Sequence, residues 1–357
     1  MKTPKFWQRS NDWRSLALTP LAWLWCTLAR RRVLAYRAGR RTVQRLPVPV
    51  IAVGNVTVGG TGKTPFTLWL ARRLLERGYK PAILSRGHGA KIKGEPRRVG
   101  LDSQADEVGD EPLMLKRALP EVEVFVHPER FRAGQAALAW GADVVVLDDG
   151  LQHLQLARDV EIAVVDAARG QNMGMGNERC LPAGPLREPL QRLCEVDAVV
   201  LHGGASSPSL QPYPACGRGR LNQSVPQWAM QLTPGAAVNL LDGSTRPMAD
   251  FVGQECDALA GIGHPERFFS MLRGLGLSVT THDFAGDHHV FTADELRRFN
   301  SRPLLMTAKD AVKCKELAQA HQWHNHWVIP VEAELDESLA AFIFSKLEAL
   351  RNGQTTA

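Results

Sequence analysis

The sequence predicts an α/β fold: a parallel sheet covered on both faces by helices, a second and smaller α/β domain, and an N-terminal helix that associates with membranes. Three observations predict it. Short apolar, β-rich runs alternate with helical patterns from residue 48 onward, the arrangement that builds a parallel sheet with crossover helices. The run Gly54-Asn55-Val56-Thr57-Val58-Gly59-Gly60-Thr61-Gly62-Lys63-Thr64-Pro65 lies between the first apolar run and the first helical pattern. A stretch rich in Gly, Ser, Pro and Gln at 203–226 reads as a linker or long surface loop, and the alternation resumes after it.

Strands are expected at 48–53, 81–85, 122–126, 143–147, 161–165 and 197–201, with helices at 65–77, 111–119 and 129–140. Beyond the linker the pattern gives a strand end at 258–261, a helix at 265–275, strands at 277–282 and 303–307, a helix at 309–320 and a strand at 327–331. The expected organisation is a basic amphipathic arm at 1–45, a P-loop domain at 46–225, and a smaller α/β domain at 226–357. The reaction site is expected in the cleft between the last two.

The glycine-rich run has the context of a P-loop, a strand before it and a helix after it. Its backbone N–H groups, with Gly59, Gly60, Thr61 and Gly62 supplying the tight turn, can wrap a polyphosphate. Lys63 can reach the β- and γ-phosphates of ATP, and the Thr64 hydroxyl can hold Mg²⁺. The usual first glycine of such a loop would fall at Thr57; the Gly59-Gly60 pair can supply that flexibility instead. Val144 to Leu147 is an apolar strand that ends in Asp148-Asp149-Gly150. Adjacent aspartates repel, and a metal ion relieves that repulsion, so they are candidate Mg²⁺ ligands. Gln152 and His153 follow and could touch nucleotide or substrate; a helix-start role fits them equally.

Asp110, in Gly109-Asp110-Glu111-Pro112, fits a helix N-cap and equally a general base that takes a hydroxyl proton. Asp287-His288-His289 could supply a histidine partner on closure of the cleft.

Composition narrows the function classes. Residues 1–50 hold eleven basic side chains and one acid, Asp12, for a net +10, whereas the whole chain is +6. The remainder is therefore acidic, so the basic character belongs to the arm and nucleic-acid binding is not supported. Leu21, Leu24, Trp25 and Leu28 fall on one helical face, and Arg30-Arg31-Arg32 follows. The apolar stretch of this arm, 16–29, is shorter than the roughly 20 residues a bilayer span needs. Trp and Leu beside Arg read as a helix lying in an anionic membrane interface. The six cysteines (Cys26, Cys180, Cys194, Cys216, Cys256, Cys314) include no C-x-x-C pair, so neither a zinc site nor a disulfide framework is expected and a reducing compartment fits.

Taken together, the motifs resemble the tetraacyldisaccharide 4'-kinase family of lipid A biosynthesis. The resemblance runs in order from residue 10 to about 335. It rests on the 54–65 run, Ser85-Arg86-Gly87-His88-Gly89, Val108-Gly109-Asp110-Glu111-Pro112 and Leu147-Asp148-Asp149-Gly150-Leu151-Gln152-His153. Further along it rests on Leu181-Pro182-Ala183-Gly184-Pro185-Leu186-Arg187-Glu188-Pro189, Ala260-Gly261-Ile262-Gly263-His264-Pro265-Glu266-Arg267-Phe268-Phe269, Asp287-His288-His289 and Thr307-Ala308-Lys309-Asp310-Ala311-Val312. It implies a kinase at the cytoplasmic face of the Gram-negative inner membrane. That kinase would move the ATP γ-phosphate to the 4'-hydroxyl of a tetra-acylated glucosamine disaccharide 1-phosphate, yielding lipid IVA. It implies Asp110, paired with His288, as catalytic base, Lys63 and Thr64 at the phosphates and Mg²⁺, and Asp148 and Asp149 at the metal. Arg86, Arg130, Arg187 and Glu188 would line the site. No feature points to an obligate protein partner.

Three rival readings are weaker. A membrane-recruited ATPase switch of the deviant Walker class needs a lysine where this chain has Val58. A GTPase needs an N-K-x-D-like reader, and Thr307-Ala308-Lys309-Asp310 carries its lysine one place late. A non-catalytic lipid-binding protein leaves the P-loop and the paired aspartates unexplained. An arm that binds the membrane interface predicts that deleting residues 1–40 releases the protein from sedimenting vesicles; pelleting that survives the deletion would overturn it.

Overall fold

The computed structural model of the chain describes residues 4–90, 92, 94–167, 174–204, 225–284 and 289–353. Nine strands form the larger sheet: β1 (Val50–Gly54), β2 (Pro81–Ser85), β3 (Arg97–Arg98), β4 (Glu123–Val126), β5 (Val144–Leu147), β6 (Val160–Asp166), β7 (Ala198–His202), β8 (Gln227–Pro234) and β15 (Val331–Leu335). The smaller sheet holds β9 (Ala237–Asn239), β10 (Thr245–Arg246), β11 (Glu255–Ala260), β12 (Ser278–Asp283), β13 (Leu304–Thr307) and β14 (His326–Ile329). The helices are α1 (Trp13–Ala17), α2 (Thr19–Arg37), α3 (Lys63–Glu76), α4 (Ala105–Val108), α5 (Asp110–Ala118), α6 (Arg130–Ala139), α7 (Pro265–Gly274), α8 (Ala293–Arg297), α9 (Ala308–Ala320) and α10 (Glu337–Arg351).

The larger sheet runs β15-β8-β7-β6-β1-β5-β2-β4-β3. Its seven central strands are parallel, and β3 and β15 close the edges antiparallel. β1 and β5 are buried along their whole length, because helices cover both faces. Alternate residues of β1 enter opposite cores. Ile51 and Val53 join Phe66 and Leu70 of α3 and Ile343 of α10, while Val50 and Ala52 join Ala133 and Ala137 of α6. The smaller sheet runs β10-β9-β14-β13-β11-β12, with α7 supplying Phe268, Phe269 and Leu272 to one core and α9 supplying Ala311 and Cys314 to another.

The single strand expected at 327–331 is two strands in two sheets. Pro330 separates them: it has no N–H to continue a ladder, and its carbonyl accepts from Gly235 N at 3.0 Å. The chain therefore passes to the smaller sheet between β8 and β9 and returns between β14 and β15. α10 then packs on the larger sheet with Leu339, Ile343 and Leu347. The sheets thus divide the chain differently from one cut at 226. We refer to the smaller sheet with α7–α9 as the second lobe.

At the N-terminus, Asp12 caps α1 by accepting from Arg14 N at 3.0 Å. The arm is docked on one side only. Ser15 Oγ donates to Ala183 O at 2.7 Å, Trp7 Nε1 donates to Pro182 O at 2.9 Å, and Trp25 Nε1 donates to Arg187 O at 2.9 Å. Leu21, Trp23, Leu24 and Leu28 stay exposed, Trp23 at 69%. Among the described residues no helix is long and apolar enough to cross a membrane. The expectation of no disulfide is overturned here: Cys26 of α2 is bonded to Cys180, 154 residues away, and Cys194 is disulfide-bonded as well. Spacing along the chain does not register a pair that only the docking of α2 brings together. Cys256 and Cys314 are free and buried.

Phe66 is fully buried between α3 and the sheet. Phe66→Ala should cost about 3–5 kcal/mol of stability, read as a shift of the urea midpoint at unchanged slope.

Candidate phosphate-binding site

In an open parallel sheet, polar groups gather outside the carboxyl ends of the strands. Residues 55–62 leave the end of β1 and turn into α3. Gly59 and Gly62 have φ of 105° and 91°, a left-handed region that glycine enters without strain. A Cβ on Gly62 would also lie 2.9 Å from Met230 Cε and 3.2 Å from His202 Nδ1. Buried Asn55 pins the turn, with Nδ2 donating to Gly59 O and to Thr61 Oγ1, both at 3.3 Å. A second segment lies against this loop: Val58 N donates to Pro185 O at 2.9 Å and Arg187 N to Val56 O at 2.8 Å. That pairing sets Arg187 beside the turn.

Lys63, the first residue of α3, donates to Asn55 Oδ1 at 3.2 Å and pairs with Asp149 Oδ1 at 3.0 Å. Arg187 Nη1 holds the other Asp149 oxygen at 3.0 Å and reaches Gln152 Oε1 at 3.4 Å. Gln152 Nε2 closes the ring by donating to Asn55 O at 2.9 Å. Asp149 itself has φ 52°, a conformation that Asp tolerates better than most side chains. Desolvation opposes its ionisation, but Lys63 and Arg187 outweigh that and hold the carboxyl well below the usual range.

Its neighbour behaves oppositely. Asp148 is buried, and burial with the charges of Glu111 and Asp149 pushes its carboxyl up to about 7, against Lys63 and Arg130. Arg130 is buried too and donates to His127 O at 3.1 Å. Burial lowers it to about 10, with Asp148 and Asp149 opposing and Arg86 adding to the drop. His153 is held down to about 4 by burial and by Arg130, Arg158, Arg32 and Arg86, so its imidazole is neutral near pH 7. Arg32 belongs to α2, so the arm's charge reaches this site.

Asp110 opens α5 rather than capping it: Gly109, φ 95°, is the N-cap, and no side chain caps there. Asp110 Oδ2 lies 3.6 Å from Lys313 Nζ, and Glu111 Oε1 lies 3.3 Å from Lys309 Nζ, both lysines on α9 of the second lobe. His288 and Asp287 lie outside the described residues. Glu188 is placed apart from the ring: it is buried and meets Arg192 Nε at 3.3 Å. Burial raises its carboxyl, within a cluster that includes Glu161 and Arg158. Thr64 follows Lys63 on the first turn of α3, and Thr61 is buried.

Sequence reasoning missed Asn55 as the hub of the ring. It also missed Asp166 and His202 at the ends of β6 and β7. Asp166 forms an ion pair with Arg267 of α7, and burial lowers His202, with Asp166 opposing. Asp166 ends an apolar strand as Asp148 does, a signal that was available; the Arg267 contact was not.

A glycine turn, a helix N-terminus and converging Lys and Arg at the carboxyl edge of a parallel sheet make an α/β protein built to hold polyphosphate. The family model for tetraacyldisaccharide-1-P 4'-kinase, LpxK, matches residues 14–348. The chain is 47% identical over 331 residues to the tetraacyldisaccharide 4'-kinase of Alkalilimnicola ehrlichii, covering 92% of each chain. It is 43% identical over 335 residues to the enzyme of that name from Pseudomonas aeruginosa, covering 93% of each. The fold matches the crystal structure of "apo" form LpxK from Aquifex aeolicus in complex with ATP, with a TM-score of 0.74 and 30% identity, over 93% of this chain and 99% of that one. The chain belongs to the tetraacyldisaccharide 4'-kinase family.

The neutral state of His153 gives a pH test. Its folded value, about 4, lies below the ordinary 6.5. Between these values the unfolded chain binds the proton and the folded chain refuses it, so stability falls as pH drops through that window, by about 3 kcal/mol. His153→Gln should remove that part of the loss, measured as the difference between the two proteins in urea-unfolding free energy across the window; parallel curves would contradict it.

Proposed function

We propose that this chain transfers the γ-phosphate of ATP to the 4'-hydroxyl of tetraacyldisaccharide 1-phosphate, forming lipid IVA at the cytoplasmic face of the inner membrane. The observation that carries the reading is the meeting of Lys63 and Asp149 behind the glycine turn, in a family named for this transfer. The turn acts as a P-loop, with Gly59, Gly60, Thr61 and Gly62 offering backbone N–H groups to the phosphates. An arriving phosphate replaces the carboxylate at Lys63, an exchange of one anionic partner for another that leaves the ammonium paired throughout.

Mg²⁺ fits the donors present. Asp148 is a buried carboxylate beside two other acids, and a divalent cation relieves that crowding. Thr64, Asp148 and Asp149 would hold it, which is a hard-oxygen set. Among the described residues no three His, Cys, Asp or Glu side chains form a metal site alone; Mg²⁺ usually completes its shell with phosphate and water. When bound, the ion neutralises charge on the transferring phosphate.

Asp110 takes the proton of the attacking hydroxyl, with His288 as its partner. Arg86, Arg130 and Arg187 offset phosphate charge, for which a guanidinium is well shaped. Gln152 orients Arg187 and the turn. The second lobe closes over the cleft. A tetra-acyl substrate leaves a bilayer only at about 0.8 kcal/mol per CH₂, so the enzyme goes to the membrane through the exposed Trp and Leu side chains and the arginines of its arm.

The deciding experiment follows label from γ-³²P-ATP into the lipid in detergent micelles, with Asp110→Ala alongside. Label in a 4'-phosphorylated lipid, falling at least about 100-fold in the variant while ATP affinity holds, supports both the reaction and the base. Label released only as free phosphate, whatever lipid is present, overturns the kinase reading.

A further inference from the structure

The run Thr307-Ala308-Lys309-Asp310-Ala311-Val312 has no part in the chemistry above, yet its side chains are closely placed. Thr307 and Asp310 serve the fold. Thr307 is the N-cap of α9, accepting from Asp310 N at 3.3 Å, and its hydroxyl donates to Asp310 Oδ2 at 2.6 Å. Asp310, fully buried, accepts from Gly261 N at 3.0 Å. These bonds tie the start of α9 to the turn after β11 and set the direction in which the helix leaves it.

Lys309 and Lys313 are four residues apart and so share one face of α9. That face meets the first turn of α5, where Lys309 pairs with Glu111 and Lys313 with Asp110. The Lys313 side chain is only 8% exposed, and that of Asp110 17%. An ammonium gives up hydration at a cost unless it is paired, and a lysine at an ordinary contact keeps its head in water. A neutral side chain would close this contact more cheaply, so the contact is built around charge.

The site explains the need. Asp110 and Glu111 stand side by side on the first turn of α5, and in the reading above the transferring phosphate passes beside Asp110. Left uncompensated, the acids of α5 oppose the charge that gathers on the phosphoryl group during transfer. We infer that Lys309 and Lys313 are positioning residues of the transfer: carried by the second lobe, they neutralise Glu111 and Asp110 and fix the Asp110 carboxylate in its reactive direction. Phosphoryl transfer is thereby tied to docking of α9 on α5. This inference rests on Asp110 being the base.

The test uses the full chain in micelles at saturating ATP and compares Lys313→Met with Lys313→Arg. Lys313→Met should lose about tenfold or more in kcat while the Kd for ATP and the Tm stay near wild type, and Lys313→Arg should recover most of the loss. A Lys313→Met enzyme within about twofold of wild-type kcat overturns the inference. A loss that follows the Tm and is not rescued by arginine also overturns it, since that is a purely structural role. Should Lys313→Met fail to fold, Lys309→Met against Lys309→Arg carries the same comparison and the same two outcomes. Asp110→Ala run alongside separates the failures. If it keeps turnover, the assignment of the base fails; if it loses turnover and Lys313→Met does not, only the present inference fails.

Discussion

Both faces of the larger sheet are sealed by helices, and this constraint orders everything else in the molecule. Residues such as Ile51 and Val146 are completely buried, so no charged group can enter the layers without a severe desolvation penalty. Chemistry is left to the ends of the strands, and parallel strands bring their carboxyl ends to the same edge. The turn after β1, the paired aspartates after β5, Asp166 on β6 and His202 on β7 all lie there.

Once gathered, these groups must be balanced. Asp148 and Asp149 adjoin in sequence and differ in state. Asp149 has two cations within 3.0 Å and stays ionised. Asp148 is buried among other acids and holds its proton far above the ordinary carboxylate range. The cations are spread among different segments: Lys63 on α3, Arg130 on α6, Arg187 on the segment paired with the glycine turn. These positive groups are already held in place by Asp149, Asn55 and the His127 carbonyl, the preorganised state that spares reorganisation when an anion arrives.

Two other parts of the chain report to this edge. The second lobe reaches it through the Arg267–Asp166 pair and through the lysines of α9 opposite α5. The arm reaches it through Trp25, whose indole donates to the carbonyl of Arg187, and through the bond between Cys26 and Cys180. α2 thus carries exposed apolar side chains, and one of them, Trp25, touches the residue that pairs with Asp149. Exposed apolar side chains and the Lys63–Asp149–Arg187 ring are joined by one short stretch of structure.

Local regularities of the chain were sufficient for much of this. Alternating apolar runs determine six of the nine strands of the larger sheet, β1, β2 and β4 to β7, to within a residue or two, because strands buried on both faces need continuous β-branched and aliphatic side chains. The edge strands β3 and β15 and their inner neighbour β8 carry no such run and were not expected. That the glycine turn and Lys63 would lie beside Asp148-Asp149 is legible because each follows an apolar parallel strand, and such strands end at one edge. Tertiary structure alone decided the rest. Pro330 splits one apolar run between two sheets according to which neighbours accept its flanks. Cys26 meets Cys180 because α2 docks on a distant segment. Arg187 and Glu188, adjacent in sequence, part company because one faces the glycine turn and the other a buried arginine. Partners of this kind are chosen by distance in space, a quantity that separation along the chain does not encode.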